Sequence, residues 1–301
     1  MQAKHLVRYG EIARLILKHG RSNVVGDNGF DDPSANGDHA TTADAEQLAA
    51  ELESMGPTFV KLGQVLSTRA DVLPPVYLHA LARLQDNVAP MPFEDVQRVV
   101  ATELGTRISR AFSEFSERPA AAASLGQVHK ARLRDGRPVA VKVQRPDIRD
   151  RIVDDMDVIE ELATFVDDHT EMGRRYGFAA MVEEFRGSLM AELDYRTEAR
   201  NLTAVHGNLA HYDRIVVPLP VDDYTTSRVL TMDWVPGRNL GSLGPLGRLE
   251  LDGCDLADEL FRAYLDQILV DGLFHADPHP GNVLITDDGR VALVDMGMVG
   301  L

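Results

Sequence analysis

The sequence predicts an α+β chain of two lobes, preceded by a helical extension. Three observations carry that expectation. Apolar residues recur at helical spacing to about residue 110 and then switch to strand-like alternation across Phe112–Gln144. In Phe274-His275-Ala276-Asp277-Pro278-His279-Pro280-Gly281-Asn282, an aspartate is followed five residues later by an asparagine and then by Val283-Leu284-Ile285. A second aspartate closes the partner strand in Val294-Asp295-Met296-Gly297, thirteen residues after Asn282.

Composition bounds the function. At 301 residues the chain is long enough for two hydrophobic cores, and 44% hydrophobic with 26% charged residues is ordinary for a globular protein. A net charge of −16 gives nucleic acid or an anionic membrane no general attraction, so no nucleic-acid partner is expected. The single cysteine, Cys254, excludes an internal disulfide and fits a reducing, cytoplasmic setting, with peripheral attachment at a membrane left open. Nothing beside it would activate a thiol, so it reads as a helix-start residue. No apolar run approaches the roughly 20 residues a spanning helix needs, so no transmembrane segment is expected.

The elements follow in order. Residues 1–42 read as an N-terminal helix and a flexible linker. Met1–Gly20 is basic and mildly amphipathic through Ile12, Leu15 and Ile16, as in a short docking helix, and Ser22–Thr42 has no apolar period. Residues 43–110 form a helical extension. One helix runs to Met55 and stops at Gly56-Pro57, where proline opens the next. That helix carries Lys61 and Gln64 on one face, and Gly63 within it predicts close approach of another backbone. Val76–Leu84 and Phe93–Leu104 are further helices, the last capped by Gly105.

Residues 111–235 form a sheet-bearing lobe with inserted helices, and 236–301 part of a second lobe. Strands are predicted at Phe112–Glu117, Gln127–Arg134 and Pro138–Gln144, with Asp135-Gly136 as a hairpin turn. A long helix is expected over Asp147–His169, another from Phe178 to about His206, and strands over Ile215–Val221 and Ser227–Val235. Asp255–Leu273 reads as an amphipathic helix leading into the Asp277 loop, followed by strands Val283–Thr286 and Val291–Val294.

The chemistry-bearing residues fit phosphoryl transfer. In the protein-kinase scheme the loop aspartate, Asp277, orients the acceptor, while Asn282 and Asp295 supply oxygen ligands for Mg²⁺. Lys142, in Val139-Ala140-Val141-Lys142 after the hairpin, would reach the nucleotide's phosphates. On a continuous helix Glu192 and Glu198 point about 120° apart. Glu198 would then face Lys142, and Glu192 would face Lys61 or Gln64. Met232, Trp234 and Val235 form a hinge for an adenine. His275 and His279 read as loop-ordering groups rather than zinc ligands.

Taken together, these residues resemble the UbiB-like (aarF-domain, ADCK) family of atypical kinases. The matching motifs are Lys61-x-Gly63-Gln64, the loop Ala121-Ala122-Ala123-Ser124, Val139-Ala140-Val141-Lys142, Glu192-x-Asp194, His275-x-Asp277-x-His279-Pro280-Gly281-Asn282 and Asp295-x-Gly297. The resemblance implies a two-lobed protein-kinase-like fold, here with a truncated C-terminal lobe. It also implies ATP or ADP with Mg²⁺, an Ala-rich loop in place of a Gly-rich phosphate loop, and a lid built from Lys61, Gln64, Glu192 and Asp194. Isoprenoid-quinone (ubiquinone-type) biosynthesis is the implied setting, with a lipid or quinone precursor or quinone-biosynthesis proteins as partners. Met296 stands where that pattern usually has Phe. A non-catalytic nucleotide-binding scaffold and a small-molecule phosphotransferase are the alternatives.

Overall fold

In the computed structural model, sheet replaces helix at Phe112, where the periodicity changes. The structure describes residues 6–19, 41–84, 89–240, 253–276 and 280–300. It divides into two compact units: 1–89 with 123–125 and 147–187, and the remainder.

The first unit is helical. It contains α1 (Leu6–His19), α2 (Thr42–Met55), α3 (Pro57–Leu66) and α4 (Pro75–Leu81), followed later in the chain by α7 (Ile148–His169) and α8 (Glu171–Tyr176). Thr41 and Asp44 form a capping box on α2, satisfying amides that a helix start leaves unpaired. Gly56, at φ 105°, ends α2, and Pro57 opens α3, as the Gly-Pro pair predicts.

Helix α1 docks on this unit through charge as well as through Ile12. Arg8 grips Asp155 of α7 with Nε and Nη2 at 2.7 and 2.9 Å, donates to the Met55 carbonyl at 2.8 Å, and lies 4.6 Å from the Phe59 ring centre. Thr58 of α3 donates to the same Asp155 carboxylate at 2.6 Å, so three helices share one buried anion. The expectation for Gly63 needs correction. A Cβ there would meet the side-chain tips of Leu84 at 2.3 Å and Leu52 at 3.1 Å, not another backbone.

The second unit holds the sheets. It opens with α5 (Phe93–Leu104) and α6 (Ile108–Ala111). Five strands follow: β1 (Phe112–Phe115), β2 (Ala121–Ala122), β3 (Gly126–Leu133), β4 (Pro138–Gln144) and β6 (Val229–Asp233). They pair in the order β1-β3-β4-β6, with β2 on β3 and every pairing antiparallel. Alternation sorts the faces of β4. Val139, Val141 and Val143 pack with Val96, Val99 and Val100 of α5. On the other face, Ala140, Leu230 and Met232 join Tyr195, Ala199 and Leu202 of α10 (Tyr195–Asn208).

A second sheet runs β5 (Ile215–Val216), β10 (Val291–Leu293), β9 (Val283–Thr286) and β7 (Gly237–Asn239). A two-stranded pair joins β8 (Phe274–His275) to β11 (Val299–Gly300). Two predicted helices are interrupted. Phe178–His206 is broken into α9 (Phe178–Glu192) and α10 by Leu193 and Asp194. Asp255–Leu273 becomes α11 (Gly253–Asp266) followed by a π-turn over Gln267–Asp271.

Candidate active site

Lys142 is delivered by strand alternation to the sheet face that α10 covers. Its Nζ donates to Glu198 Oε1 and Oε2 at 3.0 and 2.9 Å and reaches Asp295 Oδ2 at 3.2 Å. Glu198 is 3% exposed and Asp295 is 43% exposed at the side chain, so one carboxylate is buried and the other faces outward. Burial alone would depress the lysine's pKa, but the charges of Asp295 and Glu198 outweigh it and hold the ammonium well above its ordinary range. Burial pushes Glu198 up to about 7, with Lys142 pulling the other way and Asp295 adding to the rise.

The helix break decides which acids meet. Asp194 caps α10, its carboxylate accepting from the Arg196 amide at 3.1 Å, while Gln144 of β4 donates to the Leu193 carbonyl at 2.9 Å. The expectation that Glu192 and Glu198 diverge on one continuous helix is therefore overturned. A Cβ added to Gly297 would lie 3.1 Å from Asp295 Oδ1, 3.7 Å from Glu192 Cγ and 4.0 Å from Glu198 Oε2. All three acids border the Asp295-x-Gly297 turn.

That turn is tightly specified. Asp295 sits at φ 122°, a region that non-glycine residues seldom occupy. The Gly297 amide donates to its carboxylate at 3.0 Å, and Asn201 of α10 donates to the Met296 carbonyl at 2.9 Å. Met296, in the position where Phe is usual, is fully buried in the α10 core. The Val294 amide donates to the Asn282 carbonyl at 2.9 Å, so the two predicted metal-binding residues are tied together through the backbone.

Among the described residues no cluster of three or more His, Cys, Asp or Glu side chains forms a metal cage. A carboxylate and an amide, both oxygen donors, fit a hard cation that keeps water and phosphate oxygens in its shell, as Mg²⁺ does. Asp277 and His279 lie outside the described residues. The His275 amide donates to Gln267 Oε1 at 3.1 Å, and its carbonyl accepts from Tyr264 at 3.0 Å.

Of the loop Ala121-Ala122-Ala123-Ser124, the first two residues form β2 opposite Val128 and Gln127 of β3. Ser124 is fully buried. Met232 pairs with Ala140, and the Trp234 amide is spent on Pro138 O at 3.2 Å, so Val235 is the first hinge residue past that bond. Gln64 donates to the Leu84 carbonyl at 3.3 Å. Sequence reasoning missed Tyr195, fully buried beside Lys142, although its place between Asp194 and Glu198 on a helix start could have drawn notice.

A lysine held by a helix carboxylate under an antiparallel sheet, with an Asp-x-Gly turn against it, is the arrangement of the kinase-like class. The chain belongs to the ABC1 atypical kinase-like family: that domain matches residues 83–301. It is 39% identical over 260 residues to ACTIVITY OF BC1 COMPLEX KINASE 8, chloroplastic, of Arabidopsis thaliana, covering 85% of this chain and 34% of that protein. An uncharacterized Synechocystis protein is 36% identical over 305 residues, covering 97% of this chain and 73% of that one. The structure of Rv3197 with erythromycin, from Mycobacterium tuberculosis, superposes with a TM-score of 0.63 at 31% identity, covering 86% of this chain and 65% of that chain. This chain spans about a third of the Arabidopsis relative. Among its described residues no helix is long and apolar enough to cross a membrane.

Proposed function

We propose that this chain is a Mg²⁺-dependent, ATP- and ADP-binding atypical kinase or ATPase that supports isoprenoid-quinone biosynthesis. The observation that carries the reading is the Lys142–Glu198 pair, 2.9 Å apart with Asp295 on the same ammonium. In that role Glu198 holds Lys142 toward the phosphates, Asn282 and Asp295 hold the metal, and Asp277 orients the acceptor. When bound, the cation neutralises charge on the phosphate oxygens. Lys61, Gln64, Glu192 and Asp194 are the proposed lid residues. Membership of the family supports kinase-type chemistry in general; the quinone setting rests on the resemblance.

The test is equilibrium binding of ATP and ADP with and without Mg²⁺, using Asp295→Asn as control. Asparagine tolerates positive φ better than most residues, so the turn survives while the charge is lost. Metal-dependent binding that disappears in the variant is the expected result. Binding by both proteins regardless of Mg²⁺ would remove Asp295 from the metal site. Binding without phosphate release, with or without candidate acceptors, would select a nucleotide-binding scaffold instead. Because Rv3197 was solved with erythromycin, that macrolide belongs in the same titration, where competition with ATP would place both ligands in one cleft.

A further inference from the structure

Tyr195 is the first residue of α10, and its amide donates to the Ser227 carbonyl at 3.0 Å. It is 1% exposed, and its buried hydroxyl has no hydrogen-bond partner among the described residues. A buried polar atom left unpaired costs free energy and calls for an explanation. The ring supplies one: Lys142 Nζ lies 5.2 Å from its centre. Glu198 follows three residues later on the same helix face, so a single turn presents a π face and a carboxylate to one ammonium.

The far end of the ring meets Gly126. A Cβ there would stand 2.6 Å from the Tyr195 hydroxyl and 2.7 Å from the Val143 carbonyl oxygen. Gly126 begins β3 opposite Gln144, whose side chain holds the Leu193 carbonyl. The segment 193–195 is thereby stapled to the sheet beside Gly126, with its aromatic ring extending under the sheet to the lysine.

We propose that Tyr195 is a positioning residue for Lys142: its ring fixes the ammonium between Glu198 and Asp295, and its hydroxyl acts by contact against Gly126 and not as a donor. This rests on the nucleotide-site reading for what Lys142 does there, but the placement itself can be tested without nucleotide. The chain has five lysines, so selective ¹³C labelling of the ε carbons gives few signals, and Lys142→Arg assigns the one that matters. Lys142 is expected upfield through the Tyr195 ring current, unchanged in Tyr195→Phe and returned to the ordinary lysine position in Tyr195→Leu. Lys130, 5.1 Å from the Trp234 ring centre, is an internal reference that neither variant moves.

Mg-ADP titration supplies the second readout. Tyr195→Phe should stay within about twofold of the unsubstituted chain, because no hydrogen bond is lost. Tyr195→Leu should weaken affinity roughly three- to thirty-fold. A Lys142 signal at the ordinary position in the unsubstituted chain overturns the proposal, whether or not Tyr195→Leu folds. So does a signal that stays upfield in Tyr195→Leu, or a Phe variant as weak for Mg-ADP as the Leu variant. An upfield signal lost in Tyr195→Leu, with no Mg-ADP binding by the unsubstituted chain, would uphold the positioning role and refute the nucleotide site.

Discussion

Lys142→Met keeps much of the side chain's volume and removes its charge, leaving Glu198 buried without the cation that now lies 2.9 Å away. Removing one partner of a buried ion pair costs about 3–5 kcal/mol, because the remaining charge is stranded away from water. Glu198, at 3% exposure, takes most of that loss. Asp295, at 43%, is screened by solvent and adds little. The stranded carboxyl has one escape, which is to bind a proton. Burial already pushes it to about 7 against the opposing pull of Lys142, so without the lysine it rises further.

A carboxyl whose folded pKa is raised gives full stability below its unfolded pKa and loses it as pH climbs toward the folded value. The loss is about 1.4 kcal/mol per pH unit for one proton. The gap between variant and unsubstituted chain is therefore small at pH 6 and widens above pH 7. Urea unfolding at pH 6 and 8.5 measures it, and Lys142→Met/Glu198→Leu should recover much of the loss. An equal loss at both pH values, or a double variant no more stable than the single one, would refute the reasoning.

Three further outcomes follow from the packing. Gly63→Ala gains about 1 kcal/mol of helix propensity but forces a methyl against Leu84 and Leu52 at a cost of about 1–3. A net loss up to about 2 kcal/mol in denaturant melts is expected, and a gain would show that those leucines step aside freely. His129 is fully buried, donating from Nδ1 to the Ser116 carbonyl at 2.7 Å and accepting at Nε2 from Gln127 at 2.8 Å. Burial lowers its pKa, so unfolded chains take up the proton first and stability falls as pH drops below the ordinary histidine value. That slope, at most about 1.4 kcal/mol per unit, should vanish in His129→Gln. Asp155→Asn weakens the charge-assisted bonds from Arg8 and Thr58 and should cost about 2–3 kcal/mol. A melt within 0.5 kcal/mol of the unsubstituted chain, roughly the noise of an inert surface change, would show that α1 docks by its apolar side alone.

The lysine strand was legible because alternation alone puts Lys142 on one face, while its partner Glu198 was picked out by the kinase scheme rather than by helical spacing. The convergence of Glu192 was hidden. A run of acids looks continuous until Asp194 is recognised as a helix cap with Leu193 held by Gln144, and that bond lies 49 residues away in sequence. The pairings of β7 with β9 and β8 with β11 were invisible because two- and three-residue strands carry no period. The Lys142–Asp295 contact joins residues 153 apart and left no local trace.

The π-turn at Gln267–Asp271 has a mechanical consequence. It brings the Gln267 amide group inward, where it bonds both the Ala263 carbonyl and the His275 amide, while β8 is laced to β11 and the Ala276 amide to the Met298 carbonyl. The strand entering the Asp277 loop and the strand leaving the Asp295 turn are thus one hydrogen-bonded lever with its fulcrum at Gln267. A shift of β11 at Val299–Gly300 would therefore be carried into β8 and to the Gln267 side chain bonded behind it. A wedge such as Gly300→Ala, whose methyl would strike the Phe274 ring at 2.2 Å, would pry at both arms at once.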